Sequence, residues 1–190
     1  MNIFRKKHLL LIITPVIIIS CVLFILSHYY PLSLLSINKQ YIYTPESTVV
    51  AQYESKLNDL KSSYEKSETN DLTINRMQQG LLDVYHQDFL ISGDSVVFTN
   101  EKFSSIKIDV IETRKILLDL TFSENYDKNT KNYLQLLVES IIEMESSIQK
   151  AELTASYSKE ELEQVLNKLQ MRFYSSLKYF DSFYDSYTNS

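Results

Sequence analysis

Asp83 and His86 place a carboxylate and an imidazole three residues apart, a spacing that on a helix presents both from one face. Di-metal sites in helical bundles use it as Glu-x-x-His on two helices, with two further glutamates. This chain has no second copy, so His86 is read as an ordinary, partly exposed helix histidine. Glu139 and Glu143 stand four apart. Paired carboxylates run acid–base chemistry when burial splits their pKa values, and they are equally ordinary on a solvated helix. Cys21 is the sole cysteine, which excludes an intrachain disulfide and a thiolate metal cluster. With only Gly80 and Gly93, the glycine-rich phosphate cradles of nucleotide-binding folds cannot be built. No nucleophile has a motif around it, and the chain is expected to be no enzyme, with no cofactor and no metal.

The most unusual local chemistry is aromatic. Phe173, Tyr174, Tyr179, Phe180, Phe183, Tyr184 and Tyr187 put seven rings within fifteen residues near the C-terminus. A helical face holding Phe173, Phe180, Tyr184 and Tyr187 accounts for four as core. Tyr174, Tyr179 and Phe183 flank that face, and part of this surplus is expected to be exposed. Tyr174, Tyr179, Phe183 and Tyr187 are therefore the candidate partner-binding residues, since exposed aromatics are enriched at interfaces. The competing reading is that further helices cover this end and the rings fill a wide core; contact with sugar or lipid is the third.

The elements that must position these residues begin with an apolar segment. Leu9 to Leu26 is eighteen residues without a charge, and at about 1.5 Å per residue it nearly spans a bilayer core of roughly 30 Å. Pro15 lies inside the run, where a membrane helix tolerates it. Pro31 marks the stop, and Tyr29 and Tyr30 suit the membrane–water boundary. Arg5, Lys6 and Lys7 give the short N-terminal end +3, while the remainder carries −8. Basic residues next to a span are retained on the cytoplasmic side, so residues 1–7 are placed inside and the long remainder outside. No second run of spanning length follows, which predicts a single pass. A cleaved signal is the rival reading: no A-x-A site follows the run, but Ile18-Ile19-Ser20-Cys21 resembles a permissive bacterial lipobox that would lipidate Cys21. The apolar residues continue past Cys21 to Leu26, favouring an uncleaved anchor over 8–30.

Residues 31–43 read as a juxtamembrane connector, partly extended. Thr44-Pro45-Glu46 reads as a helix start, with a hydroxyl cap, a proline at the first position and an acid against the positive helix end. Val50, Tyr53, Leu57, Leu60 and Tyr64 then recur at alternating spacings of 3 and 4. The same period returns with Ile74, Met77, Leu81, Val84 and Tyr85 behind a cap at Asp71. It returns again with Phe103, Ile106, Val110, Leu117 and Leu120, and with Leu134, Leu137, Ile141, Met144 and Ile148. Ser158-Lys159-Glu160-Glu161 is a capping box, opening a last helix with Leu162, Leu166, Leu169, Phe173, Leu177, Phe180 and Tyr184 inward. Gly93-Asp94 marks a break, and Ser95–Thr99 is read as an apolar loop because an isolated strand has nothing to pair with.

These readings predict an all-α chain: one transmembrane helix, then an extracytoplasmic antiparallel bundle of about four to five helices over 44–190. A basic tail, one span and an outer helical bundle resemble, as architecture and without a shared motif, the ligand-binding half of bacterial chemoreceptors and sensor kinases. That resemblance implies ligand sensing, although no returning span or transmitter is read in the chain. The working expectation is a bacterial cell-membrane protein that touches the lipid bilayer and acts by binding another envelope protein or itself. Nucleic acid is not an expected partner, because the outer part is acidic and has no Lys/Arg cluster.

Overall fold

A computed structural model describes residues 2–65, 72–77, 81–123, 125–153 and 157–189, with side chains for 13–64, 73–77, 81–122, 125–152 and 157–189. The order of elements is α1 (Asn2–Tyr29), β1 (Tyr41–Tyr43), α2 (Ser47–Glu65), α3 (Leu72–Arg76), a 3₁₀ turn (Asp83–Tyr85), α4 (Asp88–Ile91), β2 (Val96–Phe98), α5 (Asn100–Ser123), α6 (Lys128–Leu153) and α7 (Lys159–Thr188). The fold is mostly helical, as the periodicity predicts.

Helices α5, α6 and α7 form an up-down-up layer, and their ion pairs show the directions. Lys107 pairs with Glu152 and Arg114 with Glu145, so residue numbers rise along α5 as they fall along α6. Glu143 meets Arg172, while Thr130 and Ser186 share a hydrogen bond at 2.9 Å, so α6 and α7 are also antiparallel. Helix α2 runs with α7 instead of against it: Tyr53 faces Tyr174, Lys56 pairs with Asp181, and Tyr64 packs on Tyr184. Every stripe residue expected in α2, α5, α6 and α7 is buried. Ser158 caps α7 with the reciprocal box: its hydroxyl accepts from the Glu161 N–H and the Glu161 carboxylate accepts from the Ser158 N–H.

Three expectations are corrected. The helix expected over Ile74–Tyr85 is not a regular α-helix throughout: α3 ends at Arg76 and Asp83–Tyr85 is a 3₁₀ turn, although Ile74, Met77, Leu81, Val84 and Tyr85 are buried as the spacing predicts. The cap assigned to Asp71 lies outside the described residues.

The second correction is that Val96–Phe98 is a strand with a partner. It pairs antiparallel with Tyr41–Tyr43 from the expected connector, in the register Tyr41 with Phe98, Ile42 with Val97 and Tyr43 with Val96. Alternation then turns Tyr43, Val96 and Phe98 into the core and leaves Ile42 and Val97 outside. The third concerns Thr44. Helix α2 starts at Ser47, with the Glu46 carbonyl accepting the Val50 N–H, and the Thr44 hydroxyl bonds Ser95 at 2.8 Å instead of capping a helix.

Among the described residues, no helix is long and apolar enough to cross a membrane. The charge-free run begins at Leu9, and the side chains of residues 1–12, including Arg5, Lys6 and Lys7, lie outside the described set. From Ile13 to Val22, α1 is exposed on every face: Val16, Ile17, Ile18 and Ile19 follow one another at about 100° steps and none is covered, while Leu23, Leu26 and Ser27 in its last turns are half-buried. Cys21 is free and exposed in the same stretch.

Candidate functional site

Helix α7 packs against α6, α2, α4 and β1, so its buried surface is far wider than a single stripe. Phe183 is fully buried, with Tyr126 against it at 5.8 Å, which overturns the expectation that it is surplus at the surface. Tyr174 is half-buried, tilted against Tyr53 and covered by the Lys178 ammonium 4.2 Å from its ring centroid. Tyr187 is half-buried against Tyr126 at 5.7 Å. The four candidate rings therefore do not make one surface. Of the four, Tyr179 lines a concavity between α6 and α7.

That concavity is a groove of about 600 Å³ along the outer seam of α6 and α7. Leu136, Glu139, Ser140 and Glu143 line it from α6, at the 3 and 4 spacings of one helix face. Asn167, Lys168, Met171, Arg172, Ser175 and Tyr179 line it from α7. The core stripes of both helices are turned inward, so these residues belong to the neighbouring, outward stripes. Met171 is 49% and Leu136 is 39% exposed, giving the groove an apolar floor open to solvent. Ile142 and Tyr133, on the same helix as Leu136, are likewise exposed.

The polar rim is internally matched. Arg172 donates to the Glu143 carboxylate across the groove, and Gln135 donates to Glu139 at 2.8 Å. Asn167 is held from the far side by the Tyr43 hydroxyl at 2.8 Å, which ties the groove to β1. Burial pushes the Tyr43 hydroxyl up to about 12, with Tyr41, Glu163 and Glu46 adding to the effect, so it stays a donor throughout the ordinary pH range. Glu139 and Glu143, expected to share a face, do so, but each carboxylate already has a partner. The arrangement offers charged and apolar surface, not an acid–base pair aimed at a bond.

No family model, curated protein or solved structure matches this chain.

The remaining candidates are placed by their surroundings. His86 follows the 3₁₀ turn, half-buried, with Nδ1 2.8 Å from the Leu82 carbonyl, and Asp83 is exposed. Among the described residues no three His, Cys, Asp or Glu side chains are grouped to hold a metal ion. Lys107 and Ser104, both hydrogen-bonded to Glu152, hold its carboxyl below the usual range, which makes it a fastener between α5 and α6. Leu136 and Met171 were not singled out by sequence reasoning. Their signal is nonetheless present: Leu136 stands one position, and Met171 two, off the core stripe of its helix, and each is apolar.

Proposed function

We propose that this chain is a non-enzymatic, membrane-anchored helical protein of the bacterial cell envelope, and that it acts by docking another envelope protein on the α6–α7 groove. The groove carries the partner reading. It joins an exposed apolar floor to a rim of Glu139, Glu143, Lys168 and Arg172, the composition of a protein-binding patch rather than of an enclosed small-molecule site. A helix or strand laid along the seam would bury Leu136, Met171 and Tyr179 and meet charges of both signs.

The anchor reading has its own support. A helix apolar on every face needs either a protein shell or an apolar solvent, and α1 has no shell over its exposed residues. The run from Leu9 to Leu26 supplies the length, and the +3 end before it supplies the orientation, with residues 1–7 inside and the helical domain outside.

Both readings are tested in the native cell. A photo-crosslinking side chain at Met171 in the full chain is expected to capture one discrete protein, and the same side chain at Phe122, exposed on α5, is expected to capture none. A doubled mass would identify the partner as a second copy. Equal, featureless labelling at both positions rejects the groove as an interface. Protease added to cells stripped of their outer layers should digest the helical domain without lysis; protection until lysis rejects the orientation.

A further inference from the structure

The connector folds back on α1 instead of leaving it. The Ser33 N–H donates to the Tyr30 carbonyl and the Ser36 N–H to the Ser33 carbonyl, two tight turns that reverse the chain. Ser27 then receives the Ile37 N–H at 3.1 Å and shares a hydrogen bond with Ser36 at 3.2 Å. Ser27 is the first residue after Leu26, where the apolar run ends. Ile37 is thus held at the height where a bilayer spanned by α1 would meet water.

The side chains at that height are apolar and uncovered. Leu34 is 82%, Leu35 59% and Ile37 70% exposed, and beside them the outward cross-strand pair of the sheet, Ile42 and Val97, is 60% and 47% exposed. A cavity of about 710 Å³ separates this face from α1, with Phe24 on one wall, Ile37 and Ile42 on another, and Lys159 and Glu163 at the rim. From His8 to Asn38 the chain has no Asp, Glu, Lys or Arg; Lys39 is the first charge after the anchor. Lys39 also takes a left-handed backbone (φ 45), which turns the chain from the fold-back loop into β1.

We propose that this face lies in the lipid: Leu34, Leu35 and Ile37, with the Ile42–Val97 pair, enter the interfacial layer of the outer leaflet and seat the helical domain on the membrane. The proposal rests on the anchor reading above. The occupant is the bilayer and not a protein, because the face is continuous with the helix that enters the bilayer and stands at the level of its last turn. Tyr29 and Tyr30 occupy the same boundary, and Lys39 and Lys159 stand where phosphate headgroups would be. A domain seated in this way has a fixed orientation, which fixes the height at which the α6–α7 groove is presented.

The chain contains no tryptophan, so a single introduced indole reports alone. Full-length Leu35→Trp and Val97→Trp are reconstituted in phosphatidylcholine–phosphatidylglycerol vesicles whose acyl chains carry bromine at a shallow or a deep position. Ile17→Trp reports the anchor and Phe122→Trp the distant surface of α5; Ile37→Trp replaces Leu35→Trp if that variant loses its helical circular dichroism. Leu35→Trp and Val97→Trp are expected to lose emission to shallow bromine, Ile17→Trp to deep bromine, and Phe122→Trp to neither. Quenching at Leu35 and Val97 no greater than at Phe122, with Ile17 quenched, overturns the seating and leaves the anchor standing. An unquenched Ile17 overturns both.

Discussion

Helices α1 and α7 are nearly equal in length, 28 and 30 residues, and opposite in fate. In α7 apolar residues recur with the helical period, and the helix packs against α2, α4, α6 and β1. In α1 they occupy every side of the helix from Ile13 to Val22, and all of these side chains are exposed. The difference shows that it is patterning, not apolar content, that decides whether a helix folds into a domain or needs another solvent. The largest expected effect is a double dissociation. Ile17→Lys with Ile18→Lys places two charges at the helix centre, each unfavourable there by about 2.5–3.5 kcal/mol. The chain should leave the membrane fraction while its domain unfolds at an unchanged denaturant midpoint. Phe180→Ala in α7, which removes a fully buried ring stacked on Tyr85, should do the reverse, lowering domain stability by about 3–5 kcal/mol with membrane association intact. Loss of both properties in either variant would break the comparison.

A smaller effect separates α7 from an ordinary amphipathic helix. Its core face carries polar atoms, and two of the bonds there are buried: Tyr85 and Ser176 share a hydrogen bond at 2.7 Å, and the Tyr53 hydroxyl donates to the Tyr85 carbonyl at 2.9 Å. Tyr85→Phe leaves the Ser176 hydroxyl buried without that partner and should lower stability by about 1–3 kcal/mol; Tyr85→Phe with Ser176→Ala should recover part of the loss. The same packing predicts alkaline sensitivity. Burial raises Tyr53, Tyr64 and Tyr85 above the ordinary value of 10.0, and Tyr43 to about 12. Below pH 10 these groups are neutral in both states, and the stability is fully present. Above it the unfolded chain releases protons that the folded chain keeps, so stability falls as pH rises through the folded values. Absorbance near 295 nm should show these tyrosines ionising together with unfolding rather than before it.

Next in size is the start of α7. Ser158→Ala removes the hydroxyl that accepts the Glu161 N–H, and the loss should be about 1 kcal/mol, visible as a lower midpoint with an unchanged slope. The Ser158 N–H and hydroxyl hold the Glu161 carboxyl below its usual range, so what it contributes is present above the unfolded carboxyl value and is lost as pH falls. The destabilisation by Ser158→Ala should therefore shrink in acid. An effect that grew there would separate the cap from its carboxylate.

What was legible in the residues is what local rules decide. Five stripes, the Ser158 box and the break at Gly93-Asp94 all depend on a few neighbours; the residues of all five stripes are buried, four of them on the helices expected, and the box caps α7. What was not legible depends on distant pairing. Val96–Phe98 is a strand because Tyr41–Tyr43, some fifty residues earlier, completes it, although the alternation Tyr-Ile-Tyr was there to be read. Phe183 is buried because α7 is approached from several sides, which a one-face reading of a helix cannot anticipate. The candidate groove was half visible: Tyr179 was singled out for partner binding and Glu139 and Glu143 for acid–base chemistry, while Leu136 and Met171 passed as unremarkable members of amphipathic helices.

The smallest expected effect on stability is also the one that tests whether the outward seam of α7 has a use. Arg172 and Glu143 form an exposed pair, 39% and 67% accessible, and such pairs contribute only about 0–1 kcal/mol. Arg172→Ala should leave the unfolding midpoint nearly unchanged, because water takes over both partners. If the groove receives a protein, however, the same pair is desolvated on docking, and removing the guanidinium leaves the Glu143 carboxylate buried without its partner. Crosslinking from Met171 should then fall sharply in Arg172→Ala while stability does not, and Arg172→Lys should restore only part of it, since an ammonium lacks the planar fork. Unchanged crosslinking in both variants would place the docking energy on Leu136, Met171 and Tyr179 alone, and Met171→Asp would be the substitution that removes it.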